Sequence, residues 1–339
     1  MTWSPCLIRY EDDDGPSVEL GHELIDDYLR FVAARARANT LLATAYDLKV
    51  FFAVVAKDPV AVTTGDVLGF IAQQRRPRRG GNVVRLEDGE RGLSARTIKR
   101  RLSSVSGLYA YLVARDDVAM AASPVPRGLG TRAAMSQRRG VPLIRTPRTL
   151  PRLLEPAEVD LLLAALRTSR DKAMVEAMLL GGLRRCEVLG LRLDDVRPGD
   201  RRVFIAEGKG GHQRIVPVSA RFFASLGDYL DHERPTDAAT DRVFVVLKGR
   251  NRGRPLTTAG LDEILRGARR RAGLRPVTCH MLRHTCLTRL REAGMALEAV
   301  QAQAGHRSIE STRIYLQLSG GWLAAEYYRA LDVLERQAP

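Results

Sequence analysis

The stretch VTCHMLRHTCLTRLREAGMALEAVQAQAGHRSIESTRIYLQL, residues 277–318, gathers His280, Arg283, His306 and Tyr315 into one short region. A helix beginning at Thr278 sets His280 and Arg283 three positions apart, so both project from one face and reach a single ligand together. A second short helix, broken at Ala304-Gly305, brings in His306, and Tyr315 follows nine residues later. Two bases, a guanidinium and a phenol in one place point to phosphate chemistry: a guanidinium pairs with phosphate oxygens, and a phenol oxygen can attack phosphorus. Taken singly, each side chain is more often structural, since a helical histidine is usually satisfied and an arginine usually solvated. Cys279, His280, His284 and Cys286 are a rival metal set, but a weak one. All four come from one helix and cannot readily converge as a tetrahedron.

Composition supports a polyphosphate partner. A chain of 339 residues has room for two or three domains, and 45% hydrophobic with 27% charged residues describes a globular protein. No uninterrupted apolar run approaches the roughly 18 residues of a membrane span, and the N-terminus lacks a basic-then-apolar signal pattern. The expectation is a cytoplasmic protein with no membrane partner. Cys6, Cys186, Cys279 and Cys286 have no framework spacing and fit reduced thiols. The net charge of +15 implies nucleic acid, because excess Lys and Arg release counterions on meeting it. Between Ser123 and Leu154 seven arginines (Arg127, Arg132, Arg138, Arg139, Arg145, Arg148 and Arg152) occur with no acidic residue.

Working outward, residues 1–16 end in an acidic run closed by Gly15-Pro16 and read as a loosely docked leader. Residues 17–122 form a helical domain. Helical spacing starts at Ser17, a second helix runs from about Thr40 to Ala56, and Thr63 or Thr64 caps a third. Ser94 caps a fourth helix that packs Ile98, Leu102, Val105 and Leu108 while Arg96, Lys99, Arg100 and Arg101 form a basic first half. The helix macrodipole disfavours cations there, so DNA phosphate is a fitting counter-charge, against the alternative of a solvated face. The segment 123–154, rich in Pro and Arg, is a linker whose Arg138, Arg139, Arg145 and Arg148 follow a DNA backbone. A second domain spans 155–319. In it PAEVDLLLAALRTS and DKAMVEAMLLGGLRRCEVLGLRLDDV read as helices, and Val203–Ala206 and Arg214–Val218 as strands joined at EGKGGH, the turn of Lys209. Residues 320–339 form a terminal amphipathic helix. The fold class is mainly α with a small antiparallel β-sheet.

With these residues in view, the second domain resembles the tyrosine recombinase (phage integrase) family, and the match covers nearly the whole chain. GGLRRCEVLGLRLDDV looks like the family's first arginine box, with Arg184 as catalytic arginine and Glu187 in the supporting acidic place. Lys209 in GKGGHQRIVPV matches the β-hairpin lysine, HMLRH the His-x-x-Arg box through His280 and Arg283, AGHRS supplies His306, and Tyr315 in STRIY matches the nucleophile. Each pattern is weak alone; six in the right order and spacing are specific. The helical domain is similar to the family's SAM-like core-binding domain, which implies a C-shaped clamp around duplex DNA.

The resemblance implies strand exchange through a 3′-phosphotyrosyl link with no metal, ATP or other cofactor. Arg184 and Arg283 would clamp the non-bridging oxygens, His306 would donate a further hydrogen bond, His280 would serve as base or proton relay, and Lys209 would protonate the 5′ leaving oxygen. It also implies a homo-tetramer on two synapsed double-stranded DNA sites, the C-terminal helix packed in trans, and accessory DNA-bending proteins as further partners. Cys186 and Cys279 are read as packing residues, and Ser308, Ser311 and Thr312 as caps or DNA contacts. A type IB topoisomerase, relaxing supercoils without site choice, is the nearest enzymatic alternative. A non-catalytic DNA-binding regulator is another, though it would have no need of Tyr315.

Overall fold

A computed structural model describes residues 3–12, 15–76, 92–126, 143–145, 151–206, 213–306 and 312. Lys209, Tyr315, Arg138, Arg139, Arg148 and the helix expected at 320–339 lie outside the described residues. The chain divides into two compact units, Met1–Arg148 and Thr149–Pro339.

The first unit begins with a hairpin. Strands β1 (Ile8–Asp12) and β2 (Gly15–Glu19) pair antiparallel, with Ile8 opposite Glu19 and Asp12 opposite Gly15. This corrects the loosely docked leader. Glu11 and Asp12 belong to β1, while Val18 and Leu20 are buried and the Trp3 indole donates to the Leu20 carbonyl and packs edge-on against Phe52. Helical spacing from Ser17 is corrected too, since α1 (Glu23–Arg35) starts only after Gly21, where φ is +80°. The Asp26 carboxylate, in the first turn of α1, accepts the backbone N–H groups of Leu20 and Gly21 and fixes that corner.

Helices α2 (Ala38–Val55), α3 (Thr64–Arg75) and α4 (Ala95–Val113) follow. Thr63 and Asp66 form a reciprocal capping box on α3, and the Ser94 hydroxyl caps α4. The core joins Ile25, Leu29, Leu48, Phe51, Phe52, Phe70, Val105 and Leu108. By length and composition α2 could cross a bilayer, but its Leu41, Leu48, Phe51 and Phe52 are buried in this core.

In the second unit, α5 (Pro156–Ala164), α6 (Ser169–Leu180), α7 (Arg185–Gly190), α8 (Ala220–His232), α9 (Thr258–Arg271), α10 (Cys279–Glu292) and α11 (Leu297–Ala304) accompany a three-stranded antiparallel sheet among the described residues. Its order is β3 (Val196–Arg197), β4 (Arg202–Ile205), β5 (Arg214–Pro217), with Val203 opposite Val216. Helix α6 is buried along almost its whole length and packs on α8 and α10. Its N-terminus is closed by the Glu233 carboxylate, which accepts the N–H groups of Ser169 and Arg170 at 2.8 and 2.9 Å. The long helix expected from Asp171 onward is broken at Gly181-Gly182, where Gly182 takes φ +66° and Leu183 N–H bonds back to the Ala177 carbonyl. That is the left-handed helix ending only glycine adopts without strain.

Candidate active site

The helix break creates the site. Ending α6 at Gly181-Gly182 leaves carbonyls without helical partners, and buried side chains from the C-terminal stretch take them up. Arg283, only 3% exposed, donates through Nη1 to the Gly182 carbonyl and through Nη2 to the Ala304 carbonyl at 2.5 Å. The buried Gln303 amide donates to the carbonyls of Gly181 (2.9 Å) and Pro217 (3.1 Å), tying α11 to both the break and the sheet. Thr278 caps α10 and sets its phase, so that Arg283 faces inward while His280 is exposed.

After the break the chain restarts as α7 with Arg184 as its N-cap residue. The Glu187 carboxylate accepts the Arg184 backbone N–H at 2.8 Å and its Nη1 at 2.7 Å, and Arg214 of β5 grips the same carboxylate with two bonds of 2.9 Å. Burial alone would raise the Glu187 pKa. The hydrogen bonds and charge of Arg214, joined by the N–H and charge of Arg184, overcome this and hold it at about 2. Glu187 is therefore an anion at any physiological pH, and it orients two cations at once. Arg184 Nη2 also donates to the Gly305 carbonyl at 3.0 Å. That uses two of its five N–H groups for orientation, a geometry a lysine could not reproduce.

Gly305 ends α11 with φ +59°, and this left-handed turn carries the chain into His306. A Cβ on Gly305 would lie 2.9 Å from the Arg214 guanidinium. His306 Nε2 lies 3.3 Å from Arg283 Nη2, and its Nδ1 lies 3.0 Å from the hydroxyl of the buried Thr312. A guanidinium only donates, so Nε2 accepts and the ring proton sits on Nδ1, facing Thr312. Burial first, then the charges of Arg283 and Arg184, lower its pKa to about 4. His306 is thus neutral here, with its N–H facing Thr312. Thr312 supports the imidazole and is fully buried, which corrects its reading as a DNA contact.

His280 stands one helical turn before His284, with Nε2 to Nε2 at 2.7 Å. Its pKa is lowered by partial burial and by the charges of Arg283 and Arg184, so it is a neutral base at pH 7. Of the sequence-predicted residues, the structure brings Arg184, Glu187, Arg283 and His306 into one bonded group and sets His280 close enough to feel both guanidiniums. Lys209 lies in the β4–β5 connection and Tyr315 beyond His306, both outside the described residues. Arg214 and Gln303 are contributors that sequence reading missed, while His284 and Thr312 were singled out there in other roles. For Arg214 the available signal was an arginine opening an otherwise apolar strand.

Two other expectations change. Cys186 is exposed and not packed, whereas Cys279 is buried. On α4, Arg96, Lys99 and Arg100 are exposed, but Arg101 turns back onto Gln74 and toward Asp47, its side chain only 13% exposed. Arg100 also reaches Asp47, at 2.6 Å. The buried Asp47 carboxylate draws them in, because a buried charge demands a partner. Arg145 is exposed.

Comparison with known proteins agrees with this geometry. Residues 152–320 match the phage integrase family and residues 25–116 the phage integrase N-terminal SAM-like domain. The tyrosine recombinase XerD of Listeria monocytogenes serotype 4b (strain F2365) is 31% identical over 319 residues, covering 88% of this chain and 95% of the relative. The tyrosine recombinase XerC of Roseiflexus castenholzii (strain DSM 13941 / HLO8) is 30% identical over 315 residues, covering 88% and 90%. Among solved structures, XerH site-specific recombinase bound to a palindromic difH substrate superposes with TM-score 0.62 at 20% identity, covering 91% of this chain and 85% of that one. A lambda integrase dimer bound to a COC′ core site gives TM-score 0.62 at 16% identity, covering 86% and 93%. The fold is shared with these recombinases, and the chain belongs to the tyrosine recombinase (phage integrase) family.

Proposed function

We propose that this protein is a site-specific recombinase that breaks and rejoins duplex DNA through a 3′-phosphotyrosyl intermediate, with Tyr315 as nucleophile. The observation that carries the reading is the pair of guanidiniums, Arg184 and Arg283, fixed by Glu187 and by the carbonyls of Gly182, Ala304 and Gly305. Such a preorganised cationic pair stabilises the charge of a pentacoordinate phosphorane at no reorganisation cost during reaction. Tyr315, as a phenol of ordinary pKa near ~10, is protonated at neutral pH. Its proton passes to His280 as the phenolate oxygen bonds to phosphorus. The P–O5′ bond breaks, and Lys209 protonates the departing 5′ oxygen. Reversal by a different 5′-hydroxyl rejoins the strand, since the ester to tyrosine conserves the bond.

On this reading both units bind the DNA duplex. Four copies act on two synapsed duplexes in the cytoplasm, the 320–339 segment packs on a neighbouring copy, and accessory DNA-bending proteins assist. The test is trapping on a nicked suicide duplex carrying the recombination site, from which the cleaved fragment diffuses away. The wild-type chain should migrate with covalently attached DNA on a denaturing gel, and Tyr315→Phe should bind the duplex equally but leave none attached. Attachment that persists in Tyr315→Phe sinks the assignment of the nucleophile.

A further inference from the structure

We infer that His284 is a positioning residue for the cleavage reaction, holding His280 in the one tautomer that can accept a proton from the attacking phenol. The inference rests on the reading of His280 as the proton acceptor for Tyr315. The two imidazoles lie one turn apart on α10, Nε2 to Nε2 at 2.7 Å, with ring centroids 4.1 Å apart and planes at 80°. His280 is exposed and His284 only 7% exposed.

A nitrogen-to-nitrogen bond of that length holds one hydrogen, which leaves two arrangements. If His284 donates, neutral His280 carries its own proton on Nδ1 and has no lone pair outside the bond. Protonating His280 would then set two N–H groups against each other. If His280 donates through Nε2–H, its Nδ1 lone pair is available as a base. The same hydrogen bond then survives when Nδ1 takes up a proton. Only the second arrangement serves both protonation states of His280.

The electrostatic surroundings assign the roles in the same sense. The charged and titratable groups that act on this pair are Arg283 on the same helix, Arg184 at the start of α7, and His306 after α11. Burial, the neighbouring His280 and Arg283 bring the His284 pKa down to about 4, so His284 stays neutral and is able to accept from a protonated His280. The transient cation falls on the exposed ring, and under the charge of two guanidiniums it needs an acceptor behind it. A buried neutral imidazole supplies one without adding the carboxylate charge that would pair with Arg283 or Arg184 and pull them off the phosphate. The logic is that of a base oriented by a third group.

In chemical terms, the phenol proton moves to His280 Nδ1, the Tyr315 oxygen bonds to phosphorus, the P–O5′ bond breaks, and the leaving oxygen is protonated by its own acid. His284 gains and loses no proton. Its removal should therefore slow the step by less than the ~10²–10⁴ attached to a general base itself.

The experiment measures single-turnover covalent-complex formation on the suicide duplex for the full chain, with DNA affinity and thermal melting recorded for every variant. His284→Phe and His284→Met both fill the buried volume without offering an acceptor, and each should cut the cleavage rate about tenfold to a hundredfold at unchanged DNA affinity. His284→Gln, which keeps an acceptor at the same helical position, should recover most of that loss. In the double variant His280→Ala/His284→Met, cleavage should be no slower than in His280→Ala alone, because His284 acts through His280. Wild-type rates in both His284→Phe and His284→Met overturn the inference, and so does a His284→Met effect that multiplies in full onto His280→Ala. If His280→Ala itself cleaves at the wild-type rate, the reading of His280 as proton acceptor fails and takes this inference with it, while Tyr315 trapping still tests the nucleophile separately.

Discussion

Glu187 shows how one side chain can be legible in a sequence while its work is not. The spacing Arg184-x-x-Glu187 is local, so a resemblance finds it. The partner that gives the carboxylate its full bonding, Arg214, arrives from a strand 27 residues further on. Gln303 and the supporting role of Thr312 were hidden for the same reason, because their bonds run to main-chain groups or to a side chain placed by tertiary structure. Glu187→Gln would leave Arg184 and Arg214, with side chains 18% and 13% exposed, facing a neutral amide. Stripping one partner from a buried ion network costs about 3 kcal/mol, so the urea midpoint should fall clearly and cleavage should fall further than DNA binding. An unchanged midpoint would mean the network carries no stability.

The same residues separate in pH. His284 and His306 have folded values near 4 against an ordinary 6.5, so on acidification the unfolded chain takes up their protons first. Their stabilising effect is complete above 6.5 and is lost between 6.5 and 4. Glu187, held near 2 against an ordinary 4.5, contributes fully above 4.5 and loses its effect only as pH falls toward 2. Melting curves should therefore drop in two stages, and His284→Gln should shallow only the upper one. A slope unchanged in that variant would show that His284 does not titrate there.

At the scale of elements, periodicity located α2, α3 and α4, and the caps Thr63 and Ser94 sit at their starts. It failed where glycine geometry decides. The apolar pattern of residues 171–196 runs smoothly through Gly181-Gly182, yet that is where α6 stops, and the site depends on the stop. The acidic leader misled in the opposite way: its composition suggested looseness, but strand pairing of Ile8–Asp12 with Gly15–Glu19 and the burial of Val18 and Leu20 hold it. Gly182→Ala tests the break. The new Cβ would sit 3.1 Å from Leu287 in a left-handed conformation, costing roughly 1–2 kcal/mol and shifting the carbonyl that holds Arg283. Gly199→Ala is the control, since a Cβ there meets nothing within 4 Å. Equal urea midpoints and cleavage rates for the two variants would remove the break from the site's design.

For the whole molecule, the net charge of +15 argues for a polyanion but does not say which cations touch it. The structure divides the basic half of α4 into two kinds. Arg96 and Lys99 are exposed and, among the described residues, enter no ion pair, whereas Arg100 and Arg101 are drawn toward the buried Asp47. Cations that replace counterions on DNA set the slope of log affinity against log salt, which should shrink by about 0.9 for each phosphate left un-neutralised, whatever the DNA sequence. Arg96→Ala and Lys99→Ala should each show that change with thermal stability unaltered. Arg101→Ala should do the reverse, leaving the salt slope in place and lowering the melting temperature, because it strips a partner from Asp47. Affinity titrations between about 50 and 200 mM salt resolve a change of that size. If Arg101→Ala altered the slope while Arg96→Ala and Lys99→Ala did not, the DNA-facing side of α4 would have to be reassigned to the face that now closes over Asp47.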